Sequence, residues 1–475
     1  MQPAFVHHDF MTATTPNPFN LPELRALFAR YVSLSDATAC ARVCKDWSVD
    51  FIPLIWHTID LAKHGGAGGD PQAVARHGHH IRIIRSIWEL NQVLVFRDPS
   101  VCQLTHIEMT IETGTLLQAH CLDLIRLNKS TLVEFSLQGR DPFFPNLVFP
   151  VDVFSPTANA ITTTAASSLT RLNIAAVVMT RDSFSLMLRY CTSLATLKIQ
   201  SVIIHSVPVP DIYQHLQLKN LTATVDQVFV PDPDSSNSPS LLVHFPNLEQ
   251  WTTWVQTDRY HVSPQAMKAE LALHCPLLTE VTPIDTCHDM MDLLRNGFER
   301  LTAVSIWYED WSPEIVNAIL THRGTLQRVL SYVPGTDYES SRGPAVIYKE
   351  GVVSSIQSLL LQCHQLSYFS FPMLSMDINE LEKCKDVCGS LEVFQARIQG
   401  LDTREKTMHA VCLWSRFRRM ELRPTGDPNS NATATDDAWT TDPTDDTSIE
   451  VRVARFLLKF EKLHTVSLGW RIWKL

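Results

Sequence analysis

The chain has little glycine, no strongly basic character and no long hydrophobic run. Glycine occurs 16 times in 475 residues, and its one cluster, at 65–69, lacks the Lys-Ser/Thr pair of a phosphate-binding loop. The chain contains no run of about 18 consecutive apolar residues, so no membrane span is predicted. The N-terminus lacks the basic and apolar regions of a signal peptide. The net charge of -10 argues against a nucleic-acid-binding domain that relies on a broad basic face.

Closely spaced cysteine pairs are also missing. The 11 cysteines lie singly, many within apolar patterns, which favours buried free thiols in the reducing cytoplasm or nucleus. His77, His79 and His80 lie close together with His64 nearby, but no Cys-x-x-Cys pair completes a zinc ligand set. A solvated joint is therefore favoured over a metal site, and no metal or cofactor is expected.

Catalytic signatures are absent from the sequence as well. Neither Gly-x-Ser-x-Gly nor His-Glu-x-x-His occurs. A triad could still assemble in space from the many Asp, His and Ser residues, so an unrecognised hydrolase stays open as an alternative. The expectation is that the chain is not an enzyme and has no catalytic residue.

The segment 20–61 has the pattern of a short helical hairpin. Leu21-Pro22 suits a helix start, and a helix face follows at Leu24, Leu27, Phe28 and Tyr31. Ser33, Ser35 and Asp36 offer capping oxygens for a second helix whose apolar positions are Ala39, Cys40, Val43 and Trp47. A third element begins at Phe51, and Ile59 and Leu61 alternate as in a strand. A unit of about forty residues is too small to be stable alone, so it should pack on the next domain, on a partner, or on both.

These residues resemble the F-box family, as seen in Leu21-Pro22, Glu23, Leu24, Tyr31-Val32, Asp36, Cys40, Val43-Cys44-Lys45 and Trp47. One departure is that the family has one more residue between the proline and the acidic position. The resemblance implies docking on the Skp-type adaptor of a cullin–RING ubiquitin ligase. The implied adaptor-binding residues are Leu21, Pro22, Leu24, Tyr31, Val32, Val43 and Trp47. The alternative is a helical cap on a repeat array with no ligase role.

A short phrase repeats through the rest of the chain, with a leading Leu (once Phe417), an apolar residue three positions later and usually a third two positions further on. The thirteen copies are QLTHIEM, TLVEFSL, SLTRLNI, SLATLKI, QLKNLTA, NLEQWTT, LLTEVTP, RLTAVSI, TLQRVLS, QLSYFSF, SLEVFQA, RFRRMEL and KLHTVSL. This is the signature of leucine-rich repeats, in which each phrase enters a strand. The predicted fold is α/β, a helical hairpin followed by a leucine-rich-repeat, ribonuclease-inhibitor-like solenoid.

Helices are predicted between the phrases. Met267, Leu271 and Leu273 should face the core in one of them, and Ser312-Pro313 should start another. The predicted divisions are a flexible N-terminus at 1–16, the F-box-like domain at 17–62, a linker at 63–80 and an irregular solenoid at 81–475. Residues 424–450 are acidic and almost without apolar side chains, which predicts a disordered insertion.

The solenoid's strand face is the predicted binding surface for a target protein, with no nucleic acid or membrane as partner. In each repeat phrase, the strand residues next to the buried apolar positions should point to this face. They include His106, Glu108, Arg171 and Asn173. Trp254 and Trp307 are the large apolar exceptions on this face, and Trp is enriched at interaction hot spots. The predicted target-binding residues are Trp254, Trp307, Arg419 and Arg423. Together with the resemblance, this predicts a substrate-recognition subunit of a Skp–cullin–F-box ligase; the alternative is a non-ligase repeat scaffold.

Overall fold

The structure is a computed structural model that describes part of the chain. The described residues are 21–63, 70–111, 115–140, 147–149, 167–205, 212–230, 239–253, 263–283, 288–332, 351–382, 389–401, 403–421, 448–468 and 472–474. The predicted flexible N-terminus at 1–16 and most of the acidic insertion lie outside this part, so both remain predictions.

Helices and strands alternate along the described residues. The helices are α1 (Pro22–Ala29), α2 (Leu34–Cys40), α3 (Lys45–His57), α4 (Pro71–His77), α5 (Leu90–Phe96), α6 (Thr115–Asn128), α7 (Arg181–Tyr190), α8 (Val225–Phe229), α9 (Pro264–His274), α10 (His288–Asn296), α11 (Pro313–Leu320), α12 (Val352–Gln362), α13 (Ile378–Glu382), α14 (Arg404–Glu421) and α15 (Ile449–Leu458). The strands are β1 (Thr58–Asp60), β2 (Ile83–Ile87), β3 (His106–Ile111), β4 (Glu134–Gly139), β5 (Leu147–Val148), β6 (Arg171–Ala175), β7 (Val177–Thr180), β8 (Thr196–Gln200), β9 (Ile203–His205), β10 (Asn220–Thr222), β11 (Gln250–Thr253), β12 (Glu280–Pro283), β13 (Ala303–Trp307), β14 (Arg328–Tyr332), β15 (Tyr368–Met376), β16 (Val393–Ile398), β17 (Thr465–Leu468) and β18 (Ile472–Lys474).

The chain forms two compact units. The first comprises residues 1–177 with 190–193, and the second comprises 178–189 with 194–475. The first unit holds the helical hairpin α1–α3 and a parallel sheet in the order β1-β2-β3-β4-β6. The second holds a sheet in the order β8-β10-β11-β12-β13-β14-β15-β16-β17-β18, parallel except for the last pair. Both sheets are consistent with leucine-rich-repeat architecture.

The repeat phrases become strands in register. Twelve of the thirteen phrases contain the start of a strand, and the third residue after each leading residue lies within it. Leu169, Leu172 and Ile174 show the burial that the pattern predicts, at 0%, 2% and 0% exposure. The phrase RFRRMEL was interpreted wrongly, because its first six residues, 416–421, belong to helix α14.

A buried residue three positions before the leading Leu turns the chain into many of the strands. The N–H of Leu248 donates to the carbonyl of Phe245, and the N–H of Leu278 donates to that of Cys275 in the same way. Leu366 repeats this bond with Cys363. Phe245, Cys275 and Cys363 are at most 3% exposed, so several of the scattered cysteines are buried core thiols at these turns. Burial raises the pKa of the Cys275 thiol to about 12.

The helices pack their apolar sides on the sheets, with one error in the prediction. In α9, Met267 and Leu271 are buried at 1% and 3% exposure, but Leu273 is 71% exposed. Two residues apart on a helix are about 200° apart around its axis, so Leu271 and Leu273 cannot share a face. Helix α11 starts as predicted, at Pro313, with the Ser312 hydroxyl accepting from the N–H of Ile315.

Two predicted segments are more ordered at their ends than expected. Part of the predicted linker is helical, since α4 covers Pro71–His77. Helix α15 begins at Ile449, and the Ser448 hydroxyl accepts from the N–H of Val451. The prediction of disorder for 424–450 is therefore wrong for residues 449–450. The other division boundaries stay predictions.

Candidate functional site

Helix α1 turns a charged residue inward and its leucines outward. Arg25 and Ala29 are its buried residues, at 8% exposure each, whereas Leu24, Leu27 and Phe28 are 39%, 50% and 37% exposed. The arrangement is possible because Arg25 Nε donates to Asp50 Oδ2 in α3 at 2.5 Å, and a buried charge needs such a partner. Leu24 and Leu27 thus face away from the hairpin's own core, whereas the Phe28 ring lies edge-on to those of Trp47 and Phe51 at centroid distances of 6.4 and 6.3 Å.

The other exposed side chains of the hairpin extend this apolar character. We use the term hairpin apolar surface for Leu21, Leu24, Leu27, Phe28, Tyr31, Leu34, Val43, Val49 and Leu54. These nine are half of the large apolar side chains that are exposed among the described residues. Tyr31 is the most exposed, at 82%. Surface apolar residues scattered singly are ordinary, but nine exposed within 34 residues is an unusual concentration.

The inner side of the hairpin is a small aromatic core. Ala29, Ala37 and Phe51 are buried there, and Val32 and Trp47 pack partly buried against them. The Trp47 ring stacks on that of Phe51 at a centroid distance of 5.5 Å. Of the residues predicted to bind an adaptor, Val32 and Trp47 are therefore half-buried, and the remaining five are exposed: Leu21, Pro22, Leu24, Tyr31 and Val43.

The second predicted helix is divided in two. Helix α2 ends at Cys40 and α3 begins at Lys45. Val43 lies in the turn between them, its N–H donating to the carbonyl of Cys40 at 3.0 Å. The prediction that Val43 shares a helix face with Trp47 is wrong, and the turn leaves Val43 64% exposed.

The opposite end of the hairpin is built onto the sheet of the first unit. Helix α3 runs directly into β1, which pairs in parallel with β2. The N–H of Arg82 donates to the carbonyl of His57 at 3.0 Å, and the Trp56 ring stacks on that of His77 at 5.1 Å. Burial lowers the pKa of His77. One end of the hairpin is therefore joined to the edge strand of this sheet, while the hairpin apolar surface is exposed among the described residues.

The histidines of the predicted linker pack on one another. The rings of His79 and His80 lie 3.8 Å apart, and His77 is stacked 6.4 Å from His80. Burial lowers the pKa of His80 as well. Within the part of the chain that the structure describes, no group of three or more His, Cys, Asp or Glu is placed to hold a metal ion.

The outward-facing side of the first unit's sheet bears a cluster of charged residues. We call this side, which carries the half-buried and exposed strand residues, the open face. Glu134 Oε2 lies 2.5 Å from Arg171 Nη2 and 3.2 Å from His106 Nε2, because in-register pairing brings the three residues level. Burial lowers the pKa of His106, although Glu134 acts in the opposite direction. His106 and Arg171 were predicted on this face, whereas Glu134 was missed, although the phrase TLVEFSL places it by the same rule.

The predicted target-binding residues are not brought together by the described structure. Trp307 lies half-buried at the end of β13, with its ring 6.5 Å from that of Tyr308. Trp254 lies just beyond β11, and both it and Arg423 fall outside the described residues. Arg419 lies in helix α14, so its predicted position on a strand face is wrong. The role of these four residues in target binding stays a prediction.

Comparisons with known proteins do not assign a family. Neither a protein-family model nor a curated protein matches the chain. Among solved structures, the chain is similar to one described as a crystal structure of a TLR13–ssRNA13 complex, with 12% identity and a TM-score of 0.28. The match covers 67% of this chain and 53% of that one, and a likeness this distant carries no functional argument. No helix among the described residues is long and apolar enough to cross a membrane.

Proposed function

We propose that this chain is a substrate-recognition adaptor in which the hairpin binds a Skp-type adaptor of a cullin–RING ubiquitin ligase and the repeats bind a target protein. The observation that carries the proposal is the orientation of α1, which buries Arg25 and exposes Leu24 and Leu27. A helix gains nothing from this arrangement in isolation, because apolar surface in water is unfavourable. The arrangement becomes favourable when a second protein covers the leucines.

The exposed side chains are numerous enough for a stable contact. Burying one large apolar side chain contributes about 1.5–3 kcal/mol, and association costs about 4–15 kcal/mol in lost freedom. If five or six members of the hairpin apolar surface were covered, they would contribute about 8–18 kcal/mol. After an association cost near the lower end of its range, about 8 kcal/mol would remain, which corresponds to a micromolar dissociation constant.

In this proposal the chain promotes ubiquitin transfer by position alone. Holding a target beside a charged ubiquitin carrier raises the effective concentration of the two reactants. The chain would contribute no catalytic residue and no cofactor.

One observation favours the second candidate, a repeat scaffold with a helical cap. The pairing of β1 with β2 and the packing of Trp56 on His77 support it, since they join the hairpin to the edge strand of a sheet. A hairpin that only caps has no need of an uncovered apolar surface. The two candidates therefore differ in whether Leu24, Tyr31 and Val43 contact a partner.

Matched substitutions distinguish the two candidates. The test pair is Leu24→Ser and Val43→Ser, at positions 39% and 64% exposed. The control pair is Leu186→Ser and Val148→Ser, at positions 40% and 62% exposed outside the hairpin. Each full-length double variant is co-expressed with the Skp-type adaptor, and the complex is measured by size-exclusion chromatography and calorimetry.

We expect wild type and the control variant to co-elute with the adaptor and the test variant to bind at least about tenfold more weakly, since it loses apolar contact area. If folded wild type does not co-elute with the adaptor at micromolar concentrations, the ligase proposal is wrong. The repeat scaffold with a helical cap is then the remaining candidate. If both variants bind as wild type does, the adaptor contacts a different surface.

A further inference from the structure

A pocket opens on the open face of the first unit's sheet. It measures about 220 Å³ and is lined from β2, β3, β4 and β6. Its lining residues are Ile84, Arg85, His106, Ile107, Glu108, Glu134, Ser136 and Asn173. All of them belong to one compact unit.

A break in strand pairing lies beside the pocket. Ile84 is level with Ile107, but the next paired residues are Ile87 and Met109, so Arg85 and Ser86 together face Glu108. Ser86 has a φ of 58°, in the left-handed region that residues other than glycine rarely adopt. Such bulges redirect side chains and interrupt pairing next to binding sites.

The polar atoms of the pocket are mostly hydrogen-bond acceptors. Asn173 Nδ2 donates to Ser136 Oγ at 3.0 Å, while Asn173 Oδ1 is buried and has no hydrogen-bond partner among the described residues. A buried carbonyl without a donor is costly, so it is a position where a ligand's N–H group would be stabilised. The Glu134 carboxylate lies at the same site, between Arg171 and His106.

Glu108 supplies a further negative charge at the pocket. It is exposed, and none of the ion pairs among the described residues involves it. Arg85 is the one cation in the lining, and solvent screens its charge and that of Glu108 alike, since both side chains are exposed. Both ring nitrogens of His106 already have neighbours, Thr105 Oγ1 at 2.8 Å and Glu134 at 3.2 Å. Since Glu134 is already paired with Arg171, the Glu108 carboxylate and Asn173 Oδ1 are the acceptors that favour a cation with N–H donors.

We propose that this pocket binds the cationic side chain of a peptide, arginine or lysine, with Asn173 Oδ1 and the Glu108 carboxylate as its acceptors. A guanidinium group suits the site best, because its several N–H donors can reach more than one acceptor at once. The inference goes beyond the function proposed above, since it does not depend on what the hairpin binds.

The test uses the full chain and small probes. Nα-acetyl-arginine methylamide is titrated into the protein and followed by calorimetry and ligand-observed NMR. The citrulline analogue has nearly the same shape without the charge, and the glutamate analogue reverses the charge. We expect the arginine probe to bind with a dissociation constant on the order of 1 mM, as suits a ligand of this size, and to bind at least about tenfold more tightly than either analogue.

Two variants assign the binding to the pocket. Glu108→Gln should weaken the arginine probe about tenfold, the amount that one charge-assisted hydrogen bond contributes. The control is Glu299→Gln, which changes an exposed glutamate in the other unit and should leave the affinity unchanged. Both positions are exposed, so both variants should fold, and circular dichroism checks this.

Three results would overturn the proposal. The first is equal or tighter binding of the glutamate or citrulline probe. The second is no binding of the arginine probe at concentrations up to 20 times the expected dissociation constant of about 1 mM. The third is equal weakening by Glu108→Gln and Glu299→Gln. Loss of adaptor binding by the hairpin would leave all these measurements unaffected, so the two proposals fail separately.

Discussion

Arg25 and Asp50 form an ion pair that joins α1 to α3, with 2.5 Å between Arg25 Nε and Asp50 Oδ2. Their side chains are 10% and 22% exposed. The bond also raises the pKa of Arg25, so the guanidinium stays charged at any ordinary pH. This pair holds α1 in the rotation that turns its leucines outward, and it therefore links the hairpin's stability to its proposed binding surface.

We predict that Asp50→Asn loosens the hairpin without affecting the second unit. The substitution removes the charge that compensates Arg25, so the amides of α1 and α3 should exchange hydrogen faster. Glu23→Gln, at an exposed carboxylate in the first turn of α1, is the control and should leave exchange nearly unchanged. Equal exchange in the two variants would show that the ion pair does not hold the helices together.

Asn128 joins the end of α6 to the loop 101–104 through its buried amide. Oδ1 accepts from the N–H of Leu104 at 2.7 Å, and Nδ2 donates to the carbonyls of Val101 and Leu124 at 3.0 Å each. Asn128→Ala leaves these buried groups unpaired and should destabilise the unit by about 3 kcal/mol. Asn247→Ala, at a position with one exposed bond to the carbonyl of Leu216, should cost less than about 1 kcal/mol. Urea denaturation measures both, and similar losses would contradict this role.

Acid should destabilise the second unit through His244. This residue is fully buried, Nδ1 lies 2.7 Å from the Tyr213 carbonyl, and burial lowers its pKa to about 4. The nearby Arg181 cation lowers it further. Because the unfolded chain binds the proton near pH 6.5 and the folded chain does not, stability is complete above pH 6.5. It then falls as the pH drops towards 4, by on the order of 2 kcal/mol at pH 5.

His244→Gln should remove this part of the pH dependence. We expect the loss of stability between pH 8 and pH 5, measured from urea midpoints, to be smaller than in wild type. His464→Gln, at an exposed histidine, should keep the wild-type slope. The remaining slope of His244→Gln would come from other histidines whose pKa is lowered by burial, including His322. An unchanged slope would mean that His244 is protonated in the folded chain.

The acidic segment should be dispensable up to the start of α15. Deleting 426–447 removes polar residues that cannot form a core and shortens a connection whose length has only a weak effect on stability. We expect the melting temperature to change by less than about 3 °C. Ser448→Ala instead removes the cap of α15 and should cost about 1 kcal/mol. A larger loss from the deletion than from the capping variant would show that the segment packs on the protein.

The sequence predicts the strands well because the leading Leu and the residues three and five positions after it are core positions, as at Leu169, Leu172 and Ile174. The same reasoning fails at RFRRMEL, since Phe417 and Met420 at a spacing of three fit a helix as well as a repeat phrase. The run from Arg404 continues that helix to Glu421, and a short phrase cannot reveal this. The bulge at Ser86 was equally unpredictable, because nothing in a serine signals a positive φ.

The hairpin shows a second limit of prediction from the sequence. Apolar periodicity correctly marks a face of α1, but periodicity cannot state which side of a helix faces the core. The usual assumption places the leucines inside, whereas a charge pair from Asp50 allows Arg25 to take that place. The candidate surface therefore depends on a contact between residues 25 positions apart, which only the structure supplies.

The direct continuation of α3 into β1 has a mechanical consequence. The hairpin is fixed to the sheet that carries the pocket by strand pairing and by the contact of Trp56 with His77, so it is not attached as a tethered module on a flexible arm. A protein bound at Leu24 and a peptide bound at Glu108 would be held at a fixed distance and in a fixed relative orientation. A rotation of the bound protein would therefore rotate the bound peptide by the same angle. Inserting a glycine-serine hinge between His57 and Thr58 would abolish that transmission even where both binding surfaces stay intact.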